Sequence, residues 1–129
     1  MVLRRIPKMS HFKPEEFKCK CGYNCGLGYD DMDTEFIDLI NAARTIARTP
    51  FIINSAIRCM KHNKDVGSTS TSSHLKGLAV DIAYSSSNQC FRIVEALLHV
   101  GITRIGLGKN FIHCDIDIAK ESFLLFNYY

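Results

Sequence analysis

The sequence has no apolar stretch long enough to act as a signal peptide or to cross a membrane as a helix. Residues 1–8 are basic, but no apolar run of signal-peptide length follows them. We therefore expect synthesis in the cytoplasm without a signal peptide, and we expect no membrane segment. Reduced thiols are the expected state of the cysteines in that compartment.

The sequence also has no internal repeat, no low-complexity segment and no stripe of basic residues. A chain of 129 residues that is 47% hydrophobic and 22% charged has the composition of an ordinary globular protein, which argues against disorder. We expect one domain over residues 1–129, acting as a monomer. The net charge is +3, but the lysines and arginines are scattered, so no nucleic-acid partner is expected.

Hydrophobic spacing predicts a mixture of helices and short strands. Residues 34–48 and 88–99 carry apolar side chains at helical intervals, and a short helical turn is expected at 10–17. Strands are predicted at 51–54, 78–83, 103–107 and 111–118. The glycine-led turn at 108–110 predicts an antiparallel hairpin, and the aromatic terminus at 123–129 is expected to pack on the core. The predicted fold class is α+β, with a small, mainly antiparallel sheet flanked by helices.

Two histidines and one aspartate occur where neighbouring segments can bring them together. His74 follows a polar loop at 67–73, Asp81 lies within an apolar strand, and His113 lies in the last predicted strand. An inward-facing Asp81 costs free energy unless a cation meets it, and His113 on a neighbouring strand supplies a second ligand. Two imidazoles and one carboxylate bind zinc while leaving a fourth position for water. We therefore predict a catalytic zinc site and a hydrolytic reaction.

The last predicted strand has one polar and one apolar face. A period of two places His113, Asp115 and Asp117 on one side. The other side is apolar and is expected to pack; it consists of Ile112, Cys114, Ile116 and Ile118. Asp115 is close enough to His113 to reach either the zinc site or the second nitrogen of the imidazole. Asp117 is expected to be a solvated or structural acid.

The six cysteines are unevenly spaced. Cys19, Cys21 and Cys25 cluster in a glycine-rich segment, and Cys59 or His11 can supply a fourth ligand if this cluster binds a structural metal. Structural zinc sites usually show paired C-x-x-C sequences, so free or buried thiols are the favoured interpretation, and a disulfide to Cys59 stays open. The other two cysteines are expected to be small core residues, Cys90 and Cys114.

These motifs together resemble one peptidase family. The pattern Ser72-x-His74-x-x-Gly77-x-Ala79-x-Asp81 resembles the signature of the zinc D-Ala-D-Ala carboxypeptidases and phage endolysin peptidases of the M15 type. Three further segments resemble parts of that family: its closing histidine strand at 111–116, its Ser-Gly-Tyr-Arg-x-x-x-His-Asn segment at 54–63, and its opening segment at 11–22. The resemblance covers about residues 11–118 and implies a hedgehog/DD-peptidase-like fold.

The resemblance also implies a role for each site residue. It implies His74, Asp81 and His113 as zinc ligands, and Arg58 as the guanidinium that binds a substrate carboxylate or carbonyl. Ser72 either binds substrate or caps the loop that leads to His74.

The general base is the point at which the sequence departs from the family pattern. Family members often carry an acid three positions before the last zinc histidine, and Asn110 occupies that position here. An amide cannot accept the proton, so Asp115 is the candidate base. An orienting role for Asp115 is the alternative.

The predicted function is a zinc peptidase that hydrolyses amide bonds in the peptide stems of bacterial peptidoglycan, of the D,D-carboxypeptidase or L-Ala-D-Glu endopeptidase type. The expected setting is a phage-type endolysin that acts at the cell wall after release. The alternative is a non-catalytic, zinc-stabilised cell-wall-binding or interaction module of the same fold, which Asn110 would suit. A third hypothesis is an interaction module whose metal lies in the cysteine cluster.

Overall fold

The computed structural model of the protein describes residues 11–128. The basic segment 1–8, Ser10 of the predicted helical turn and Tyr129 lie outside the described residues. The regular elements, in chain order, are α1 (Thr34–Ala47), β1 (Ile52–Ser55), α2 (Met60–Asp65), β2 (Ala79–Ala83), α3 (Ser87–His99), β3 (Arg104–Leu107), β4 (Phe111–Asp115) and β5 (Leu124–Asn127). Over this part of the chain, no helix has the length and apolar character needed to span a membrane.

The two long helices begin at polar caps. Asp33 precedes α1, and its carboxylate accepts a hydrogen bond from the backbone N–H of Phe36 at 3.0 Å. Ser86 precedes α3, and its hydroxyl accepts one from the backbone N–H of Gln89 at 3.1 Å. Both predicted helices are confirmed to within one residue at each end.

The five strands form one sheet in the order β1-β2-β4-β3-β5. The pairs β1–β2, β2–β4 and β3–β4 are antiparallel, whereas β3–β5 is parallel. The predicted hairpin is confirmed, because β3 and β4 pair across the turn at 108–110. The class is therefore α+β with a mainly antiparallel sheet, as predicted.

The sheet separates an apolar core from a polar face. Helices α1 and α3 pack against each other, and their buried side chains form one core with apolar residues of the sheet. The strand residues of this core include Val80, Ile82, Ile105, Ile112 and Cys114. Because side chains alternate along a strand, the intervening Asp81 and His113 lie on the opposite face. The core placement expected for Cys114 is confirmed.

The last predicted strand is shorter than expected. It ends at Asp115 instead of residue 118, and Ile118 is 97% exposed instead of packing. The backbone carbonyl of Asp117 accepts a hydrogen bond from the N–H of Lys120 at 3.1 Å, so the chain turns away from the sheet at this point. Ile116 is still partly buried against the core, as expected, but the packing expected of Ile118 is wrong.

The C-terminal segment does not pack on the core as a simple tail. Residues 124–127 form β5, an edge strand beside β3, and Phe123 and Leu125 are largely exposed. The backbone N–H of Leu124 donates to the carbonyl of Thr103 at 2.8 Å and that of Tyr128 to Leu107 at 3.0 Å. The expectation of a core-packed terminus is therefore corrected: this segment extends the sheet, and Phe126 and Tyr128 lie beside His113 on its polar face.

Candidate functional site

Three polar side chains that the sequence singles out meet on the polar face of the sheet. Asp81 in β2 pairs directly with His113 in β4, and a short 3₁₀ turn at Ser73–Lys76 brings His74 beside them. The Asp81 Oδ1 atom lies 3.2 Å from His74 Nε2 and 3.0 Å from His113 Nδ1. The three potential ligand atoms lie within 4.8 Å of one another.

Local backbone geometry fixes the position of His74. The hydroxyl of Ser72 accepts a hydrogen bond from the backbone N–H of His74 at 3.2 Å, so Ser72 caps the 3₁₀ turn. Gly77 ends the turn with a left-handed φ of +71°, and a Cβ at this position would overlap the carbonyl oxygen of Asp31. His74 Nδ1 lies 2.7 Å from the carbonyl oxygen of Ala56 and can donate to it, which leaves Nε2 facing Asp81.

The His113 ring is oriented by a second carboxylate, on the side of the ring away from Asp81. His113 Nε2 lies 2.7 Å from Asp115 Oδ2, which leaves Nδ1 facing Asp81. Asp115 is itself held in place, because its Oδ1 atom accepts hydrogen bonds from Arg104 Nε at 2.7 Å and from the backbone N–H of Asp117 at 3.1 Å. A carboxylate that holds the second nitrogen of a histidine is the usual companion of a metal-binding imidazole.

Burial and hydrogen bonding act against each other on the ionisable groups of the site. Burial disfavours the charged form of Asp81, but hydrogen bonds with His113 and His74 outweigh it and hold the pKa of Asp81 below its usual value. Burial lowers the pKa of His113, but hydrogen bonds with Asp115 and Asp81 outweigh it, and the net shift is upward. The site is therefore built to keep its carboxylates ionised at neutral pH.

The donor set fits zinc. Two imidazole nitrogens and one carboxylate oxygen converge, each imidazole has its second nitrogen held by an oxygen acceptor, and three protein ligands leave one coordination position open. The side chains of His74, His113 and Asp81 are only 4%, 9% and 13% exposed. Imidazole and carboxylate together favour zinc over the hard cations that prefer oxygen ligands alone.

Arg58 lies at the edge of this cluster and faces a cavity of about 540 Å³. Its guanidinium Nη2 lies 3.5 Å from Asp81 Oδ2, while Nε and Nη1 donate to Ser55 Oγ at 3.1 Å and to Asn63 Oδ1 at 3.2 Å. These contacts fix the plane of the guanidinium beside the three potential ligands. His74, Asp81 and His113 line the same cavity, so the structure brings all four predicted residues together.

Comparison with protein families gives a match to the family described as Peptidase M15 over residues 10–115. The chain belongs to the peptidase M15 family. The matched region contains Arg58 and all three potential metal ligands, whereas β5 lies beyond it. A comparison with curated proteins finds no match to the chain.

The sequence of this M15 chain did not predict one element of the site, strand β5. Phe126 and Tyr128, in and just after β5, place their ring centroids 6.0 and 6.2 Å from that of His113 and line the cavity. Gly106 in β3 makes room for them, because a Cβ there would meet the Phe126 ring at 2.5 Å. The strand-forming composition of Phe123-Leu124-Leu125-Phe126 was the signal that could have revealed β5.

Tyr128 adds a hydrogen-bond donor to the cavity of this M15 peptidase. Burial, together with the charges of Asp81 and Asp115, raises the pKa of Tyr128 to about 12. The phenol therefore stays protonated at neutral pH. Arg104 and Lys120 are two further cavity residues that the sequence did not single out; Lys120 Nζ donates to Ser73 Oγ at 2.9 Å.

The geometry bears on the two roles left open for Asp115. Its side chain is fully buried, both oxygens are occupied by the contacts above, and it lies on the far side of the His113 ring from Asp81. Among the described residues, Asp81 is the one carboxylate that lines the cavity. This arrangement favours the orienting role of Asp115 over the general-base role. Asn110, at the hairpin turn, is exposed, and its backbone carbonyl oxygen accepts a hydrogen bond from the backbone N–H of Tyr84 at 3.1 Å.

The roles left open for Ser72 and Asp117 can be assigned in the same way. Ser72 caps the turn that carries His74 and also lines the cavity, so capping is the role that its hydrogen bond shows. Asp117 is buried and structural, because it accepts hydrogen bonds from Ser73 Oγ at 2.7 Å and from Lys76 Nζ at 3.0 Å.

A second group of potential ligands lies in the cysteine-rich loop. The sulfur atoms of Cys19, Cys21, Cys25 and Cys59 lie within 4.8 Å of one another, and all four are free thiols. His11, the other candidate for a fourth ligand, instead contacts the hydroxyl of Thr45 at 2.7 Å through Nε2. The structure therefore selects Cys59 as the fourth member of this cluster.

Proposed function

We propose that this M15 peptidase is a zinc metallopeptidase that hydrolyses amide bonds in the peptide stems of bacterial peptidoglycan. The observation that carries the proposal is the convergence of His74, Asp81 and His113, each imidazole held by a second acceptor, at the wall of a cavity that also holds Arg58. We propose the same three residues as the zinc ligands. When bound there, zinc supplies a Lewis acid that polarises a peptide carbonyl and acidifies water.

The remaining residues of the cavity have complementary roles. The guanidinium of Arg58 is placed to bind a carboxylate of the peptide stem or the oxyanion that develops on the attacked carbonyl. The protonated phenol of Tyr128 is a second donor for that oxyanion. Asp115 acts as a positioning residue: it holds the His113 ring with Nδ1 turned towards Asp81.

The cell wall as the site of action and the endolysin type are part of this proposal. A stem peptide offers both an amide bond and free carboxylates, and Arg58 and Lys120 give the cavity the positive charge that such a substrate requires.

A second candidate function is a non-catalytic, zinc-stabilised module that binds cell-wall peptides. The observation in its favour is that, of the carboxylates in the described residues, Asp81 alone lines the cavity, and a zinc ligand does not serve as the general base. Both candidates predict zinc at the same three residues, so turnover is what separates them.

Digestion of purified peptidoglycan separates the two candidates and identifies the bond. Zinc-loaded protein should release new amino groups and stem fragments that mass spectrometry assigns to one bond type, and a chelator should suppress their release. Binding to the wall with full zinc occupancy and no fragments would instead establish the non-catalytic module. Protein with His113→Ala is the matched control, since it removes one proposed ligand and leaves the cavity open.

A further inference from the structure

The cysteine cluster has the dimensions of a metal site. Cys19, Cys21 and Cys25 belong to one loop, Cys59 precedes α2, and all four sulfur atoms lie within 4.8 Å of one another. Four thiolates around zinc at Zn–S distances of about 2.3 Å form a tetrahedron with sulfur–sulfur edges of about 3.8 Å. The cluster therefore needs only a small contraction to reach that geometry.

Each of the four sulfurs already accepts a hydrogen bond from the backbone. The Sγ···N distances are 3.3 Å for Cys19 with Cys59 N, 3.2 Å for Cys21 with Tyr23 N, 3.5 Å for Cys25 with Leu27 N, and 3.4 Å for Cys59 with His62 N. A neutral thiol gains little from such a donor, whereas a thiolate gains a great deal, because hydrogen bonding to the charged form favours it. Each of the four sulfurs therefore already has the backbone donor that a metal-bound thiolate needs.

Two of these contacts come from a repeated Cys-Gly unit. In Cys21-Gly22-Tyr23 and in Cys25-Gly26-Leu27, the glycine has a left-handed φ, +74° and +86°, and the next N–H turns back to the cysteine sulfur. A Cβ on Gly22 or Gly26 would meet nothing within 4 Å, so the backbone conformation and not lack of space requires glycine. The left-handed glycine after each cysteine reverses the chain and directs both sulfurs towards the cluster. In sites with C-x-x-C spacing, the two residues between the cysteines make this reversal.

Positive side chains lie beside the cluster. Lys18 and Lys20 line the same surface cavity as Cys19, Cys21 and Cys25. Four thiolates around one divalent cation leave a net charge of −2, which the neighbouring ammonium groups offset.

We propose that Cys19, Cys21, Cys25 and Cys59 bind a second, structural zinc ion. Four protein ligands fill a tetrahedral coordination shell, so this ion has no open position for substrate or water. The site lies outside the cavity of the proposed peptidase site and adds a function to the M15 chain beyond the proposed reaction.

The position of Cys59 connects this ion to the peptidase site. Cys59 directly follows Arg58, whose backbone N–H donates to the carbonyl of His74 at 3.1 Å. Zinc at the cluster fastens the loop of residues 19–27 to this point of the chain. Tyr23, in the same loop, donates a hydrogen bond to Asp65 of α2 and packs under Lys61, so the loop and α2 form one unit around the ion.

Metal analysis of the full chain, purified under reducing conditions with zinc, tests this inference. Wild-type protein should contain two equivalents of zinc, and Cys25→Ser should contain one, because Cys25 is an exposed member of the cluster whose replacement the fold can tolerate. The matched control Cys90→Ser, a half-buried cysteine outside the cluster, should keep both. His74→Ala should also contain one equivalent, and Cys25→Ser combined with His74→Ala should contain none. Wild-type protein with a single equivalent that His74→Ala removes and Cys25→Ser retains would overturn the inference and leave the proposed peptidase site intact.

A second measurement uses only the wild-type protein, so it does not depend on whether a variant folds. Replacement of zinc by Co²⁺ in the wild-type chain should give intense sulfur-to-cobalt charge-transfer absorption, which a site of two histidines and one aspartate cannot give. Mass spectrometry after alkylation of the native protein should show Cys19, Cys21, Cys25 and Cys59 protected until a chelator is added. Free alkylation without chelator, or protection that only a reductant removes, as expected of disulfides, would overturn the inference.

Discussion

At the scale of single residues, Asp115 has the most specific role to test. It joins His113 to Arg104 through two contacts of 2.7 Å, and it lies behind the imidazole instead of facing the cavity. Loss of an outer carboxylate of this kind weakens metal affinity by roughly 10–100-fold. We expect Asp115→Asn to weaken zinc binding at the proposed peptidase site by that factor, while turnover partly recovers at excess zinc.

The measurement is a zinc titration against a competing chelator, followed by turnover at saturating zinc. Asp38→Asn, an exposed position on α1, is the control and should change neither quantity. Unchanged zinc affinity with abolished turnover would show that Asp115 is the general base and not a positioning residue.

Arg58 tests how the substrate is held. The planar guanidinium offers two parallel donors, whereas lysine offers a point charge, so Arg58→Lys should raise KM and lower kcat/KM by roughly 10–100-fold while zinc content stays unchanged. Steady-state kinetics on a stem peptide, with zinc analysis of the same sample, gives both values. Arg92→Lys, on α3, is the control. Equal kinetics for Arg58→Lys and wild type would remove Arg58 from substrate binding.

At the scale of elements, the loop that carries His74 depends on Gly77. Both Gly77 and Gly101 have left-handed φ values, +71° and +93°, but a Cβ on Gly101 would meet nothing within 4 Å, whereas one on Gly77 would overlap Asp31. We expect Gly101→Ala to lower the free energy of unfolding by about 1 kcal/mol. Gly77→Ala adds a steric overlap with backbone and should cost about 3 kcal/mol or more.

Urea denaturation of the metal-free wild type and of the two metal-free variants measures the loss in the free energy of unfolding for each substitution. Zinc binding by Gly77→Ala reports on the position of His74. The Gly101 variant serves as the control for backbone strain alone. Equal losses for the two substitutions would show that the contact with Asp31 does not constrain the loop.

The elements differ in how far the sequence alone could predict them. The helices and the hairpin follow from local signals: Asp33 and Ser86 as caps, apolar periodicity, and the turn at 108–110. β5 does not, because its pairing with β3 bridges residues about twenty positions apart and a short aromatic run suits either a tail or a strand.

The site shows the same division between local and long-range information. The three ligand candidates could be found because each lies in a recognisable motif, and alternation along two strands places Asp81 and His113 on one face. Arg104 and Tyr128 could not be found in this way, since their roles depend on the sheet order β4-β3-β5 that brings them beside His113. The sulfur cluster required the loop conformation, because its spacing departs from C-x-x-C.

At the scale of the whole molecule, buried carboxylates make stability depend on pH. Burial opposes the charge on Asp117, but hydrogen bonds from Ser73 and Lys76 outweigh it and hold the pKa of Asp117 below its usual value. A depressed folded-state pKa contributes stability that is present above the unfolded value of about 3.9 and is lost as pH falls through the folded value. We therefore expect the free energy of unfolding of the metal-free protein to fall below about pH 4.

Asp117→Asn should remove part of that acid dependence and cost about 1–3 kcal/mol at neutral pH, because Lys76 and Ser73 lose a charged acceptor. Denaturation curves of both proteins between acid and neutral pH give the comparison. A variant whose unfolding free energy retains the full wild-type slope below about pH 4 would exclude Asp117 as a source of the pH dependence.

We propose that zinc held by His74, Asp81 and His113 performs the peptidase reaction of this M15 chain. The most direct test is to strip the protein with a chelator and to follow amide-bond cleavage in peptidoglycan while zinc is added back, in wild type and in His113→Ala. We expect wild-type turnover to be lost on stripping and to return with zinc. We expect His113→Ala to stay inactive at every zinc concentration, although its cysteine cluster still binds the ion. Turnover that survives complete removal of zinc, or that His113→Ala recovers in full, would show that zinc at these three residues does not perform the reaction.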